Sequence, residues 1–309
     1  MTTPLHTALA DYLRVRRSLG FILDHPGRYL AQFVDYLDAH AATTVTIEHA
    51  LAWAMRPSCA AAWQAQRLAM VRGFATYLRT IDPATQIPPP GLLRGQWPRA
   101  TPYLYSTAEV TALLQAATVL RAPLRVATYQ TLIGLLAATG IRVGEAVAAD
   151  RDDLDPQQNT LLIRDAKYGK QRLLPLHPST TAAVSDYLTL RERLLPTATS
   201  PALLISQRGT RLLYSQVRCT FLRLVDHTGL PVRSGRCRPR IHDLRHSFAV
   251  ATLLDWYRDH ADGPALLPSL STYLGHANPR DTYWYLSAAP ELLALAADRL
   301  DAQQEGTRG

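Results

Sequence analysis

Cysteine is scarce and poorly placed for cross-linking. Cys59, Cys219 and Cys237 are odd in number, widely spaced and without a Cys-x-x-Cys pair, which argues against a disulfide framework or a zinc cluster and fits a reducing cytoplasm. Long apolar runs are also missing. No stretch reaches the roughly 18 apolar residues of a membrane span, and the longest candidate, Thr131–Ile141, is short and rich in small residues. The first ten residues have neither a basic n-region nor an apolar h-region, so no secretory signal is expected there. Negative charge is in short supply: 25 acidic residues face 33 basic ones, a net charge of +8. That balance, carried almost wholly by arginine, points to a polyanionic partner.

The 309 residues are about twice a typical domain, so two domains are expected, each able to bury its own core. A hydrophobic fraction of 47% suits a soluble globular chain. Between Arg208 and Arg245 stand nine arginines (208, 211, 218, 223, 233, 236, 238, 240, 245) against only Asp226 and Asp243. A codon preference for arginine and solvated helix faces could account for any one of them. The cluster as a whole would repel itself unless phosphates neutralised it.

In chain order, residues 5–79 show helical periodicity and no strand pattern. Leu5, Leu9, Tyr12 and Leu13 share one face, as do Tyr29, Leu30, Phe33, Val34 and Leu37. Thr46 can cap a short helix Ile47–Met55, and Ser58 a longer one carrying Met70, Val71, Phe74 and Leu78. Trp53, Trp63 and Tyr77 read as packing residues rather than base-stacking platforms. Six prolines within Asp82–Pro102 can continue neither a helix nor a sheet and read as a linker. The expected division is a helical domain over 1–82, a linker over 83–102, a second domain over 103–302 and a flexible tail over 303–309.

The second domain opens on a capping box, Ser106 to Glu109. Pro123 suits the first turn of a helix that ends at Gly140, which puts Arg142 at a helix junction. Thr160–Arg164 and Arg172–Leu176 read as a β-hairpin whose tip holds Lys167 and Lys170. Helices are expected at 179–194, 213–227, 242–257, 268–274, 278–286 and 290–300. The fold class is mainly α with a small β-sheet, α+β.

The chemistry concentrates late in the chain, at His242-Asp243-Leu244-Arg245-His246, Leu274-Gly275-His276 and Tyr283-Trp284-Tyr285. A phosphodiester can be cut without water if a nucleophile attacks phosphorus, a donor protonates the leaving oxygen and fixed positive charge stabilises the transition state. Arginine forks suit phosphate oxygens, histidine suits proton transfer near neutral pH, and tyrosine becomes a nucleophile when cations lower its pKa. Two other readings stand beside this one: a metal site on His242, Asp243 and His246, and a purely structural role for these histidines.

Taken together, Thr139-Gly140-Ile141-Arg142-Val143-Gly144-Glu145, the hairpin Lys167, His242-x-x-Arg245-His246, Leu274-Gly275-His276 and Tyr285 nine residues on resemble the tyrosine recombinases, the lambda-integrase-like enzymes. The resemblance covers the whole chain and implies a helical core-binding front domain and a catalytic domain. It implies phosphate clamps at Arg142 and Arg245, a general acid at Lys167, proton transfer at His242, a second phosphate contact at His276, support from Glu145, and Tyr285 as nucleophile. The spacing from His276 selects Tyr285 over Tyr283. Lys170, Arg172, Arg240 and His246 are expected to contact DNA. No metal, ATP or other cofactor is implied. The expected partners are double-stranded DNA and a homotetramer on two sites, with or without sister recombinases, in the bacterial cytoplasm. The resemblance implies a mobile-element integrase or transposase. The alternatives are a type IB topoisomerase-like enzyme and a non-catalytic accessory of a recombinase set. A longer connection than the family's usual turn, Asp255–Pro268, is expected before the Leu-Gly-His segment.

Overall fold

The computed structural model describes residues 4–56, 58–95, 100–166, 170–259, 263–276, 278 and 280–288. The chain divides into two compact units, Met1–Arg99 and Ala100–Gly309. No helix among the described residues is long and apolar enough to cross a membrane.

The front unit holds four helices: α1 Pro4–Ser18, α2 Asp24–Ala39, α3 Ile47–Met55 and α4 Ala61–Leu78. Leu5, Leu9 and Tyr12 from α1 meet Leu30, Phe33, Val34 and Leu37 from α2 in one core, as the 3.6-residue periodicity requires. Thr46 Oγ1 accepts from the His49 N–H at 3.1 Å and caps α3. Ser58 does not cap α4, which starts after Ala60 without a side-chain cap. Trp53 is buried against Phe33, with ring centroids 5.2 Å apart, and the Arg67 guanidinium lies 3.7 Å from its ring centroid.

The first part of the proline-rich stretch belongs to this unit and is not a free linker. The Gln86 N–H donates to Val45 O at 2.8 Å, and Gln86 Oε1 accepts from the Ile47 N–H at 3.0 Å. Arg72 donates to the carbonyls of Pro88 and Pro89 at 2.7 and 3.0 Å. Proline lacks an N–H but keeps a carbonyl, so a cation on α4 can strap the segment down.

The second unit runs α5 Thr107–Ala116, α6 Pro123–Thr139, α7 Val143–Ala148, β1 Leu154–Asp155, β2 Thr160–Ala166, β3 Lys170–Pro175, α8 Pro178–Leu194, α9 Tyr214–Thr228, α10 Asp243–Arg258, α11 Gly263–Leu274 and α12 Arg280–Ala288. The strands form one antiparallel sheet in the order β1-β2-β3; β1 was not anticipated. Leu161 pairs with Leu174 and Ile163 with Arg172, and Leu161, Ile163 and Leu174 turn into the core. The apolar α6, with Leu132, Ile133, Leu135 and Leu136 buried, packs against α5, α8 and α10. The Ser106–Glu109 capping box forms.

The late connection is shorter than expected. α10 ends at Arg258 and α11 begins at Gly263, with Pro268 inside the helix rather than at its start. Pro268 falls in the second turn of α11, where the helix lacks one N–H donor. The helix expected at 290–300 and the tail at 303–309 lie outside the described residues.

Gly140 ends α6 in the left-handed conformation, φ 62°, and a Cβ there would lie 2.5 Å from Phe248 and 3.1 Å from Leu274. Gly229 ends α9 with a similar φ of 65° but has open space around it. Gly140→Ala should therefore combine backbone strain with overpacking, a loss of about 2–4 kcal/mol. Gly229→Ala should cost only the strain, about 1–2 kcal/mol. Thermal unfolding checks this, and equal losses in the two variants would refute the clash at Gly140.

Candidate active site

The site is built on the C-terminus of α11. Gly275, φ 68°, turns the chain so that its N–H bonds Thr272 O and the His276 N–H bonds Ser271 O, both at 3.0 Å. This Schellman turn satisfies two carbonyls of the last turn and leaves the next three, Tyr273, Leu274 and Gly275, without helical donors. Each of the three accepts an arginine. Arg172 Nε donates to Tyr273 O at 3.1 Å, Arg245 Nη2 to Leu274 O at 2.7 Å and Arg142 Nη2 to Gly275 O at 2.9 Å. The negative end of the helix dipole adds to the attraction.

Arg245, from the first turn of α10, also donates Nη1 to Gly140 O at 2.7 Å, so it joins the C-termini of α6 and α11. Burial and the nearby Arg142 push its pKa down to about 10. Glu145, in the first turn of α7, is the counter-charge. Its Oε1 accepts from Arg142 Nη1 at 2.8 Å and from Arg172 Nη1 at 3.1 Å. Its Oε2 accepts from the Arg142 N–H at 3.0 Å and from Arg172 Nη2 at 2.9 Å. Burial alone would raise the pKa of this carboxyl, but the bonds from Arg172 and Arg142 hold it below the usual range. Of the two arginines on Glu145, Arg142 is the more open, with 31% of its side chain exposed against 14% for Arg172.

Tyr285 on α12 is only 2% exposed, whereas Tyr283, two residues earlier and on the other side of the helix, is 55% exposed. The Tyr285 ring stacks on His276, with centroids 5.9 Å apart, and meets the edge of His246 at 5.4 Å. Its hydroxyl feels the positive charge of Arg245. Burial raises the phenol pKa, and Arg245 and Arg142 only partly oppose the rise. The expectation that cations leave this phenol activated is thus corrected for the DNA-free protein: desolvation outweighs them.

His276 Nδ1 and Thr282 Oγ1 are 2.7 Å apart; Thr282 is buried one turn before Tyr285 and had not been singled out. Burial and Arg245 and Arg142 push the His276 pKa down to about 4. One face of His242 is open to solvent, but crowding strips much of its hydration, and with Arg245, Arg142 and Arg240 nearby its pKa falls to about 4.

Four expected DNA contacts fare differently. Arg172 is engaged by Glu145 and Tyr273, so its fork is turned inward. Arg240 holds the buried Asp243 through two bonds of 2.9 and 2.8 Å. His246 is packed among His242, Trp284 and Tyr285, with its Nδ1 buried and unpartnered and its pKa pushed by burial to about 3; it is a packed ring with 16% of its side chain still exposed. The Lys170 side chain lies outside the described residues, as does Lys167. Within the arginine cluster, Arg211 binds the carbonyls of Val147, Ala148 and Ala149 and the carboxylate of Asp150, and Arg233 binds Glu109. Arg208, Arg218, Arg223, Arg236 and Arg238 are exposed. Among the described residues no group of three or more His, Cys, Asp or Glu side chains could hold a metal, and Asp243 is turned onto Arg240.

Residues 105–291 match the sequence profile of the phage integrase family. The chain belongs to this family, the tyrosine recombinases. A protein of Sinorhizobium fredii named as an integrase/recombinase, y4rB, is 44% identical over 306 residues, 96% of this chain and 97% of its own. The tyrosine recombinase XerD of Bifidobacterium longum is 28% identical over 278 residues, 85% of each chain. Among solved structures, the Tn1549 transposon integrase in complex with transposon right end DNA shares the fold with a TM-score of 0.60 and 14% identity, covering 96% of this chain and 98% of that one. The XerH site-specific recombinase bound to palindromic difH substrate does so with a TM-score of 0.60 and 19% identity, covering 82% and 71%. The recombinase is therefore an enzyme of site-specific DNA recombination with the α+β fold expected. Nothing in these likenesses favours a topoisomerase or a non-catalytic accessory.

The depressed histidines set a pH dependence. An unfolded chain takes up protons at His242, His246 and His276 below the ordinary pKa of 6.5, where the folded recombinase still resists them. Stability is thus full above that value and falls as pH descends from it towards about 4. The thermal midpoint should drop between pH 7 and pH 5. His246→Phe keeps a packed ring and removes one titrating group, so it should flatten that drop; an unaltered slope would remove His246 from the account.

Proposed function

We propose that the recombinase cuts and rejoins duplex DNA by way of a 3′-phosphotyrosine at Tyr285. The observation that carries this reading is the setting of that phenol: it is stacked on His276, which directly follows the helix end on which three arginines converge, and it feels the charge of Arg245 and Arg142. Arg142 and Arg245 grip the non-bridging oxygens of the phosphodiester. The Tyr285 oxygen bonds to phosphorus as the bond from phosphorus to the 5′ oxygen breaks, and Lys167 protonates that leaving oxygen. The phenol proton leaves as the new bond forms, because its pKa is raised and the phosphate charge opposes a free phenolate.

His242 takes part in that proton transfer. An arriving phosphate offsets the arginines and draws the histidine pKa values up, towards useful basicity. His276, oriented by Thr282, contacts the phosphate and supports the nucleophile, and Glu145 holds Arg142. The ester keeps the energy of the broken bond, so a 5′ hydroxyl of a partner duplex reverses the step with neither ATP nor metal. The front unit clamps DNA, and a homotetramer, alone or with sister recombinases, joins two sites in the bacterial cytoplasm. The kinship with the Sinorhizobium fredii protein named an integrase/recombinase and the fold shared with a transposon integrase favour a mobile-element integrase or transposase. The lambda integrase tetramer bound to a Holliday junction shares the fold with a TM-score of 0.58 and supports the tetramer.

A pool of nicked random-sequence duplexes tests the chemistry. The wild type should capture one sequence class as an SDS-stable adduct. Tyr285→Phe should bind that DNA and give none, whereas Tyr283→Phe should keep the adduct; the opposite pattern would overturn the assignment. The exposed Arg218 and Arg223 supply a second test. If each neutralises one phosphate, alanine at either should lower the slope of log affinity against log salt by about 0.9, and an unchanged slope would place them off the DNA.

A further inference from the structure

Arg172 stands apart from the other two arginines of the site. It comes from β3, opposite Ile163 in the sheet, and its side chain is mostly buried. Its fork closes on both oxygens of Glu145, at 3.1 and 2.9 Å, while its Nε holds Tyr273 O. The α11 turn is shaped around it, because a Cβ at Gly275 would come within 2.6 Å of Arg172 Nη1. Arg142, by contrast, reaches Glu145 with one guanidinium nitrogen and with its own backbone N–H.

The charges give this arrangement a purpose. Arg142, Arg172 and Arg245 against Glu145 leave a cluster of net +2 (three minus one). The nearby Arg240 and Asp243 cancel, and Asp281, also felt at Tyr285, is exposed at the surface. A phosphodiester carries one negative charge, and attack by the phenol oxygen as its proton leaves gives a phosphorane-like centre carrying two. Without Arg172 the cluster would drop to +1, and Glu145 would have only Arg142 to neutralise it.

We infer that Arg172 is a positioning and charge-balancing residue of DNA cleavage. It occupies the Glu145 carboxylate so that Arg142 keeps its charge and its orientation for the scissile phosphate. It acts through Glu145 and the α11 turn and does not touch DNA. This inference rests on the reading of Tyr285 and Arg142 given above.

The test uses full-length protein and the nicked duplex that the wild type captures, reading DNA affinity, its salt slope and the single-turnover rate of adduct formation. Arg172→Met should leave affinity and salt slope unchanged and slow adduct formation by roughly tenfold to a hundredfold, less than the loss of a donor on the transition state itself. Arg172→Lys, which keeps the charge, should recover much of the rate. The double variant Arg172→Met/Glu145→Gln restores the net +2 and should cleave faster than Arg172→Met alone. A neutral methylphosphonate at the scissile position, which removes one negative charge, should narrow the gap between Arg172→Met and wild type. Should Arg172→Met fail to fold, Arg172→Gln, which keeps hydrogen bonding without charge, takes its place. A wild-type cleavage rate in Arg172→Met, a salt slope lowered by about one unit, or a double variant slower than the single would each overturn the inference while leaving the tyrosine chemistry intact. Absence of any adduct with wild type would take down both.

Discussion

Three consecutive carbonyls at the end of α11 hold the active site together. A helix ends with acceptors that its own backbone cannot satisfy, and here Tyr273, Leu274 and Gly275 each receive a guanidinium from a different part of the chain. Arg172 arrives from the sheet, Arg245 from α10 and Arg142 from the α6–α7 junction. Charge-assisted bonds are about twice as strong as neutral ones, and the helix dipole adds to them. Even so, the guanidiniums are like charges, and beyond the cost of burial Arg142 lowers the Arg245 pKa further. Glu145 offsets part of that repulsion.

Burial, against the pull of these cations, keeps the phenol neutral. Tyr285 lies buried on Arg245 and His276 with a raised pKa, and the histidines around it are neutral. Burial tilts the phenol and the three histidines away from charge, whereas Glu145 is held charged by its arginines. On the mechanism proposed above, an arriving phosphate would satisfy the arginines, raise the basicity of the histidines and supply the electrophile together.

Local features were legible in the sequence because they depend on neighbours along the chain. Thr46, the Ser106–Glu109 box and the Gly140 stop follow from capping chemistry, and the order and spacing of the late motifs isolated Tyr285 from Tyr283. What was not legible is how each arginine is used. Arg172 and Arg240 look like DNA contacts in a list, because residue type reports charge and not partners, and their partners lie far off in sequence or inside a turn. His246 was misread for the same reason: its role depends on α12 packing over it. The short connection after α10 was missed because Pro268 signals a helix start but is tolerated in the second turn. Thr282 carried no signal beyond its place one turn before Tyr285, the spacing that puts two side chains on one face.

Gly140 and Gly275 complete the logic. Both end helices in the left-handed region, with φ of 62° and 68°, and at both turns a carbonyl is left for Arg245: that of Gly140 itself and that of Leu274, just before Gly275. An L-residue at either place would meet strain and a neighbour, Phe248 in one case and Arg172 in the other. The glycines of the Thr-Gly-Ile-Arg and Leu-Gly-His segments thus do the same geometric work from opposite sides of one guanidinium. They allow two helix ends to approach a single buried cation closely enough to hold it. The basic residues usually counted as the chemistry depend on two positions with no side chain at all.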